Sequence, residues 1–161
     1  MKKNSTLRWI FLELFGVIFL SALICWAVYQ DVSKVESFQT DVQALPAKDN
    51  LLFAFDTVED NGADVSLQGW ACIEGSTIGY FDCAIVLKKA DADTYYRIPT
   101  TMVERKDVTA AFGSDEVNYD HAGFFARAEK RKIPAGEYEI YIEYNAYTNP
   151  VLYSTDQMIT V

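Results

Sequence analysis

The sequence predicts an all-β domain carried behind one N-terminal transmembrane helix. Two observations on its 161 residues predict this. Residues 7–29 form one dense apolar block, whereas from Leu51 onward short apolar runs alternate with turn residues. Half of all residues are apolar, with ten Phe, ten Tyr and three Trp, which argues for a packed core and against disorder. The length suits one ordinary domain plus a membrane segment.

Charge divides along the same line. Lys2, Lys3 and Arg8 precede or enter the apolar block, and 22 of the 23 acidic residues follow it. Of the 14 basic residues 11 remain after those three, and set against 22 acids they leave −11 on the rest of the chain. That balance disfavours binding to nucleic acid or to anionic membrane surfaces.

Residues 9–29, WIFLELFGVIFLSALICWAVY, hold a single charge, Glu13, and about 20 apolar residues suffice to cross a hydrocarbon core. Trp9, Trp26 and Tyr29 fall at interfacial positions. The basic N-terminal flank predicts residues 1–8 inside a bacterial plasma membrane and the rest outside. A cleaved signal peptide is the rival reading, against which the length of the apolar run argues. Cys25 is not read as a lipidation site, because Ile24 stands where a small residue is expected. Glu13 is costly in lipid unless paired, protonated or turned toward another protein. It shares a helix face with Trp9, Gly16 and Leu20, so two readings stay open: a shallow carboxyl reaching toward headgroups, or a contact with a partner helix.

Residues 30–50 are polar with scattered apolar positions and end near Leu45-Pro46. They read as a stalk, or as a short helix packed on the domain, since Val32, Val35, Phe38 and Val42 recur at helical spacing. The domain then spans residues 51–161. Strands are expected over 51–58, 65–73, 80–89, 95–103, 123–129, 137–147 and 151–161, separated by turn signals such as Asp60-Asn61-Gly62, Gly75, Gly79, Pro134-Ala135-Gly136 and Asn149-Pro150. In the sixth, Tyr138, Ile140, Ile142 and Tyr144 alternate with Glu137, Glu139, Tyr141 and Glu143, which predicts a strand buried on one face. Asp107 to Phe112 predicts a short helix capped by Asp107, stopped by Gly113 and linking two sheets. About seven short strands at this spacing predict an antiparallel, immunoglobulin-like β-sandwich.

Gly69-Trp70-Ala71, Arg105, Asp107-Val108, Phe112, Gly123-Phe124 and Ile133-Pro134-Ala135-Gly136-Glu137-Tyr138 together resemble a β-sandwich accessory domain found beside bacterial cell-surface polysaccharide and teichoic-acid enzymes. The resemblance covers roughly residues 51–145. It implies a sandwich in which Trp70 fills the core, in an envelope setting, and it brings no catalytic residues. No enzyme domain of the kind such modules accompany is expected within these 161 residues.

Candidate chemistry is sparse. Cys72 and Cys83 are placed on neighbouring strands of a hairpin, as a disulfide or as two buried thiols. The register that sets them opposite also sets Trp70 opposite Ile85. The hairpin's other face, with Leu67, Ala71, Ile73, Ala84 and Val86, is too apolar for water and needs a cover: the 32–42 segment, a second copy or a partner protein. His121, the lone histidine, has no nucleophile motif around it and reads as a turn residue. Acids at Asp56, Glu59, Asp60 and Asp64, and at Asp91 and Asp93, match no calcium loop and read as solvated turns. Arg127, Lys130, Arg131 and Lys132 form the one basic cluster, either a solvated loop or a contact for an anionic polymer. No cofactor and no metal site is expected.

The expected function is that of a non-catalytic membrane-anchored envelope module, binding a surface polymer or serving a membrane complex that makes or exports one. The partner contacts expected are Glu13, Gly16, Leu67, Ile73 and Val86, with a protein partner or a second copy. The alternatives are a small extracytoplasmic hydrolase using His121 or paired acids, and a single-pass regulatory or sensor partner.

Overall fold

The computed structural model describes residues 3–40, 45–46, 50–78, 83–145 and 150–161, with side chains from residue 8 and none for 45–46. Lys2, Val42, Gly79, residues 80–82 of the third expected strand, Tyr147 and Asn149 lie outside the described residues.

The chain forms two compact units, residues 1–34 and 35–161. The first is α1 (Lys3–Val32), a 30-residue helix. Its stretch from Arg8 to Val32 contains 18 consecutive residues with a mean hydropathy of 2.3 and is long and apolar enough to cross a membrane. Ser21 hydrogen-bonds back to the Val17 carbonyl at 2.8 Å, which satisfies its hydroxyl within the helix.

The second unit is a β-sandwich-like pair of mostly antiparallel sheets. Its strands are β1 (Glu36–Phe38), β2 (Leu45–Pro46), β3 (Leu51–Asp60), β4 (Asp64–Ile73), β5 (Cys83–Lys89), β6 (Tyr95–Ile98), β7 (Thr100–Val103), β8 (Gly123–Glu129), β9 (Glu137–Tyr144) and β10 (Val151–Thr160). One sheet runs β1-β6-β5-β9-β10-β2 and the other β3-β4-β8-β7. Their facing sides share one core: Val65, Leu67, Phe124 and Ala126 from the smaller sheet meet Ile85, Leu87, Tyr138, Ile140 and Ile142 from the larger. Tyr138, Ile140, Ile142 and Tyr144 of β9 are all buried as expected, but Tyr141 and Glu143 on its other face are buried too, so the strand is not buried on one face alone.

Turn chemistry explains the β3–β4 hairpin. The Gly62 amide donates to Asp60 Oδ1 at 2.8 Å, and Gly62 takes a φ of +78°, a backbone state that glycine adopts without strain. Gly69 answers a different need, since a Cβ there would come within 2.2 Å of the Ala54 carbonyl oxygen.

Four expectations are corrected. The segment 30–50 is no simple stalk: α1 continues to Val32, and β1 and β2 are hydrogen-bonded into opposite edges of the six-stranded sheet. The expected strand 95–103 is two strands that belong to different sheets and part at Pro99. A proline has no amide to donate, and Thr100 Oγ1 stitches the crossing by accepting from the Ile85 amide at 3.1 Å and donating to the Ile98 carbonyl at 2.9 Å. The expected 107–112 helix is α2 (Lys106–Phe112), but it joins β7 to β8 within one sheet, and Asp107 sits in its first turn instead of capping it. Last, β4 and β5 form no hairpin: β4 pairs with β3 and β8, and β5 with β6 and β9.

Candidate functional site

That last correction rearranges the expected contact face. Leu67 and Ala71 are fully buried in the main core, and Ile73 is half-buried against it. Val86 lies instead on the outward side of the six-stranded sheet, in a second apolar cluster with Tyr95, Tyr141 and Leu152. Phe38 of β1 packs on that cluster and stacks on Tyr95 at 5.5 Å between centroids. Leu67, Ile73 and Val86 therefore share no surface, and Leu67 is closed to any partner. Alternation along a strand tells which residues share a face of that strand, and it does not tell which strand lies beside it.

Trp70 is buried in the same core cluster as Leu67, Phe124 and Ile142, as expected. It packs against α2, with the Phe112 ring 5.1 Å away. Beside it Arg105 spans two acids. Its Nε and Nη2 bond the two oxygens of Asp107 at 2.9 and 2.7 Å, and its Nη1 bonds Asp56 at the β3 bulge. Those guanidinium hydrogen bonds hold the Asp107 carboxyl below its ordinary range. The Arg-x-Asp spacing thus pins a helix start to an edge strand, a structural role.

Cys72 and Cys83 stand on different sheets, and among the described residues no disulfide joins them. Burial pushes the Cys72 thiol up to about 11, with Glu74 adding to the shift, so the unreactive protonated form dominates near neutrality. Burial likewise raises the Tyr144 hydroxyl, which is held near the Ile73 backbone.

The basic cluster is engaged by carboxylates. Arg127 pairs with Asp64 at 2.5 Å, Lys130 with Asp60 at 2.6 Å, Arg131 with Glu129 at 2.5 Å and Lys132 with Glu129 at 3.1 Å. An anionic polymer there would have to displace those acids. Among the acids that read as turns, Asp91 pairs with Lys89 and Asp93 with Lys88, and among the described residues no three of them gather where a metal ion could be held. His121 is exposed, and among the described residues no hydroxyl or thiol is hydrogen-bonded to it. The neighbouring Asp120 carboxyl is held low, chiefly by a hydrogen bond from the Thr109 hydroxyl.

One arrangement was missed in the sequence. Glu143 occupies an outward position of β9, yet its side chain is only 8% exposed. Arg97 of β6 grips it through Nε at 3.1 Å and Nη2 at 2.7 and 2.5 Å, and reaches Glu36 of β1 at 3.4 Å. The guanidinium also lies over the Phe38 ring, 5.1 Å from its centroid. The outward alternation of β9 marked Glu143 as solvated; the signal against that was Tyr141 on the same face, too large and apolar for an open sheet surface.

Glu13 is exposed on α1, together with Gly16 and Leu20. No cation stands three or four residues from it, where Trp9, Ile10, Gly16 and Val17 lie. No family model matches the chain, and neither a curated protein nor a solved structure matches it.

Proposed function

We propose that this chain is a membrane-anchored, non-catalytic envelope module that serves a complex making or exporting a surface polymer. The observation that carries the reading is the joining of one apolar helix, through Ser33, Lys34 and Val35 alone, to the first strand of the β-sandwich-like domain. The charged groups of that domain support it too: Arg97, Arg105 and the 127–132 cations are each spent on holding strands or turns together. The proposed topology places residues 1–8 in the cytoplasm and residues 35–161 outside a bacterial plasma membrane, following the basic flank of the helix. An immunoglobulin-like kinship of the sandwich belongs to the same proposal. It is supported by strand order, since β3-β4-β8-β7 runs as A-B-E-D and β6-β5-β9-β10 as C′-C-F-G.

The test is depletion of the full-length protein in its own cells, with surface polymer quantified. Loss of polymer, restored by the intact chain and equally by His121→Ala, is the expected result. Unchanged polymer, or a failure of His121→Ala alone to restore it, overturns the reading. Protease added to spheroplasts should digest the domain, and its protection would reverse the orientation.

A further inference from the structure

We infer that the face of α1 bearing Glu13, Gly16 and Leu20 docks a transmembrane helix of another protein, one that brings a lysine or arginine to the depth of Glu13. The inference rests on α1 being a membrane span, and it is independent of any surface polymer. Within the stretch Arg8–Val32 the charged residues are Arg8, Glu13 and Asp31. Arg8 and Asp31 lie at the ends, in reach of water. Glu13 sits four residues past Trp9, about 6 Å along the axis at a rise of 1.5 Å per residue. Arg8 lies five residues back, about 140° around the helix, on another face. The chain supplies no counter-charge at that position, and a carboxylate in lipid without one is expensive.

Charge complementarity selects the occupant. A parallel pair of identical helices would set Glu13 against Glu13, which is repulsive. A helix with a cation at matching depth gains an ion pair in a medium of low dielectric constant. Gly16, one turn further on, has nothing within 4 Å of where a Cβ would stand, so a second backbone can come close beside the carboxylate.

The test uses the full-length chain in phosphatidylcholine vesicles with synthetic leucine-rich transmembrane peptides. One peptide carries a lysine at the matching depth and the other carries leucine there, both with a dansyl acceptor at the end near Trp9. Energy transfer from the chain's tryptophans reads association. The lysine peptide should bind roughly three- to thirty-fold more tightly than the leucine peptide, and Glu13→Gln and Glu13→Leu should each erase that preference. Three outcomes overturn the inference: equal binding of both peptides, a preference that survives Glu13→Leu, or no binding of either, which leaves Glu13 a headgroup-level carboxyl. Self-association of the chain without peptide overturns it too, by assigning the face to a second copy. If the lysine peptide is selected while depletion leaves surface polymer unchanged, the docking inference stands and the proposed function falls.

Discussion

Glu143 and Glu13 are both carboxylates set among apolar neighbours, and they have been treated oppositely. Glu143, under the outer layer of the six-stranded sheet, receives three hydrogen bonds from Arg97, which is itself held by Glu36 and the Phe38 ring. Glu13 stands on an apolar helix whose neighbouring turns offer it no cation. The difference separates an acid that the fold completes from one that the chain leaves open. In the sandwich, the buried Glu143 has its counter-charge inside the domain. On the helix, the counter-charge we propose for Glu13 would come from outside the chain.

The strongest way to break this comparison is to place in the sandwich an acid that has no arginine. Leu67 is fully buried between the sheets, opposite Ala126. Leu67→Asp should cost more than about 5 kcal/mol and unfold the domain, because neither ionisation nor protonation satisfies a carboxyl there. Urea unfolding of the full chain in detergent, followed by circular dichroism, measures it. A folded variant would return Leu67 to the surface, where the sequence had placed it.

That misplacement shows what was legible. The Asp60-Asn61-Gly62 turn, the 107–112 helix signal and the strand at 137–144 each fix local structure through nearest neighbours, and each element is present, although the alternating burial of that strand ends at Ile140. Partners were not legible. Residues 65–73 and 83–89 look like two arms of a hairpin, but the chain between them passes from one sheet to the other. Pro99 was a readable sign of the second such passage, since a proline inside an expected strand breaks its ladder. The Arg97–Glu143 pair was not readable, because it joins residues 46 apart in sequence through strands whose adjacency had to be known first.

Removing the arginine from the completed pair is the next largest effect. Arg97→Met should cost about 3 kcal/mol, the low end for breaking a buried pair, because the Arg97 side chain is 37% exposed and partly screened. The double variant Arg97→Met with Glu143→Leu should recover most of that loss, since the stranded charge is gone and the Val86, Tyr95, Tyr141 and Leu152 cluster is enlarged. Unfolding midpoints of the two single variants and the double close the cycle. Additive losses would show that the pair is not coupled.

The smallest effect lies where acids stay in water. Asp107 is held low by Arg105, Asp60 by Lys130 and then the Gly62 amide, Glu129 by Arg131 and Lys132, and Asp120 by the Thr109 hydroxyl. A carboxyl whose folded pKa is depressed binds its proton more readily in the unfolded chain. Its contribution is therefore complete above the ordinary carboxylate range near about 4 and is lost as pH falls through the depressed folded value. Stability should be flat from pH 8 to 6 as far as these groups decide it, then decline below about pH 4. Asp107→Asn should flatten part of that decline while barely moving the midpoint at pH 7, because the Asp107 carboxyl is solvent-exposed and screened. Urea midpoints measured against pH, wild type beside Asp107→Asn, check both halves of the statement. A large loss at pH 7 would place Asp107 with Glu143 among the acids the fold depends on, and would move the Arg105 bridge from fastening a turn to holding the sandwich together.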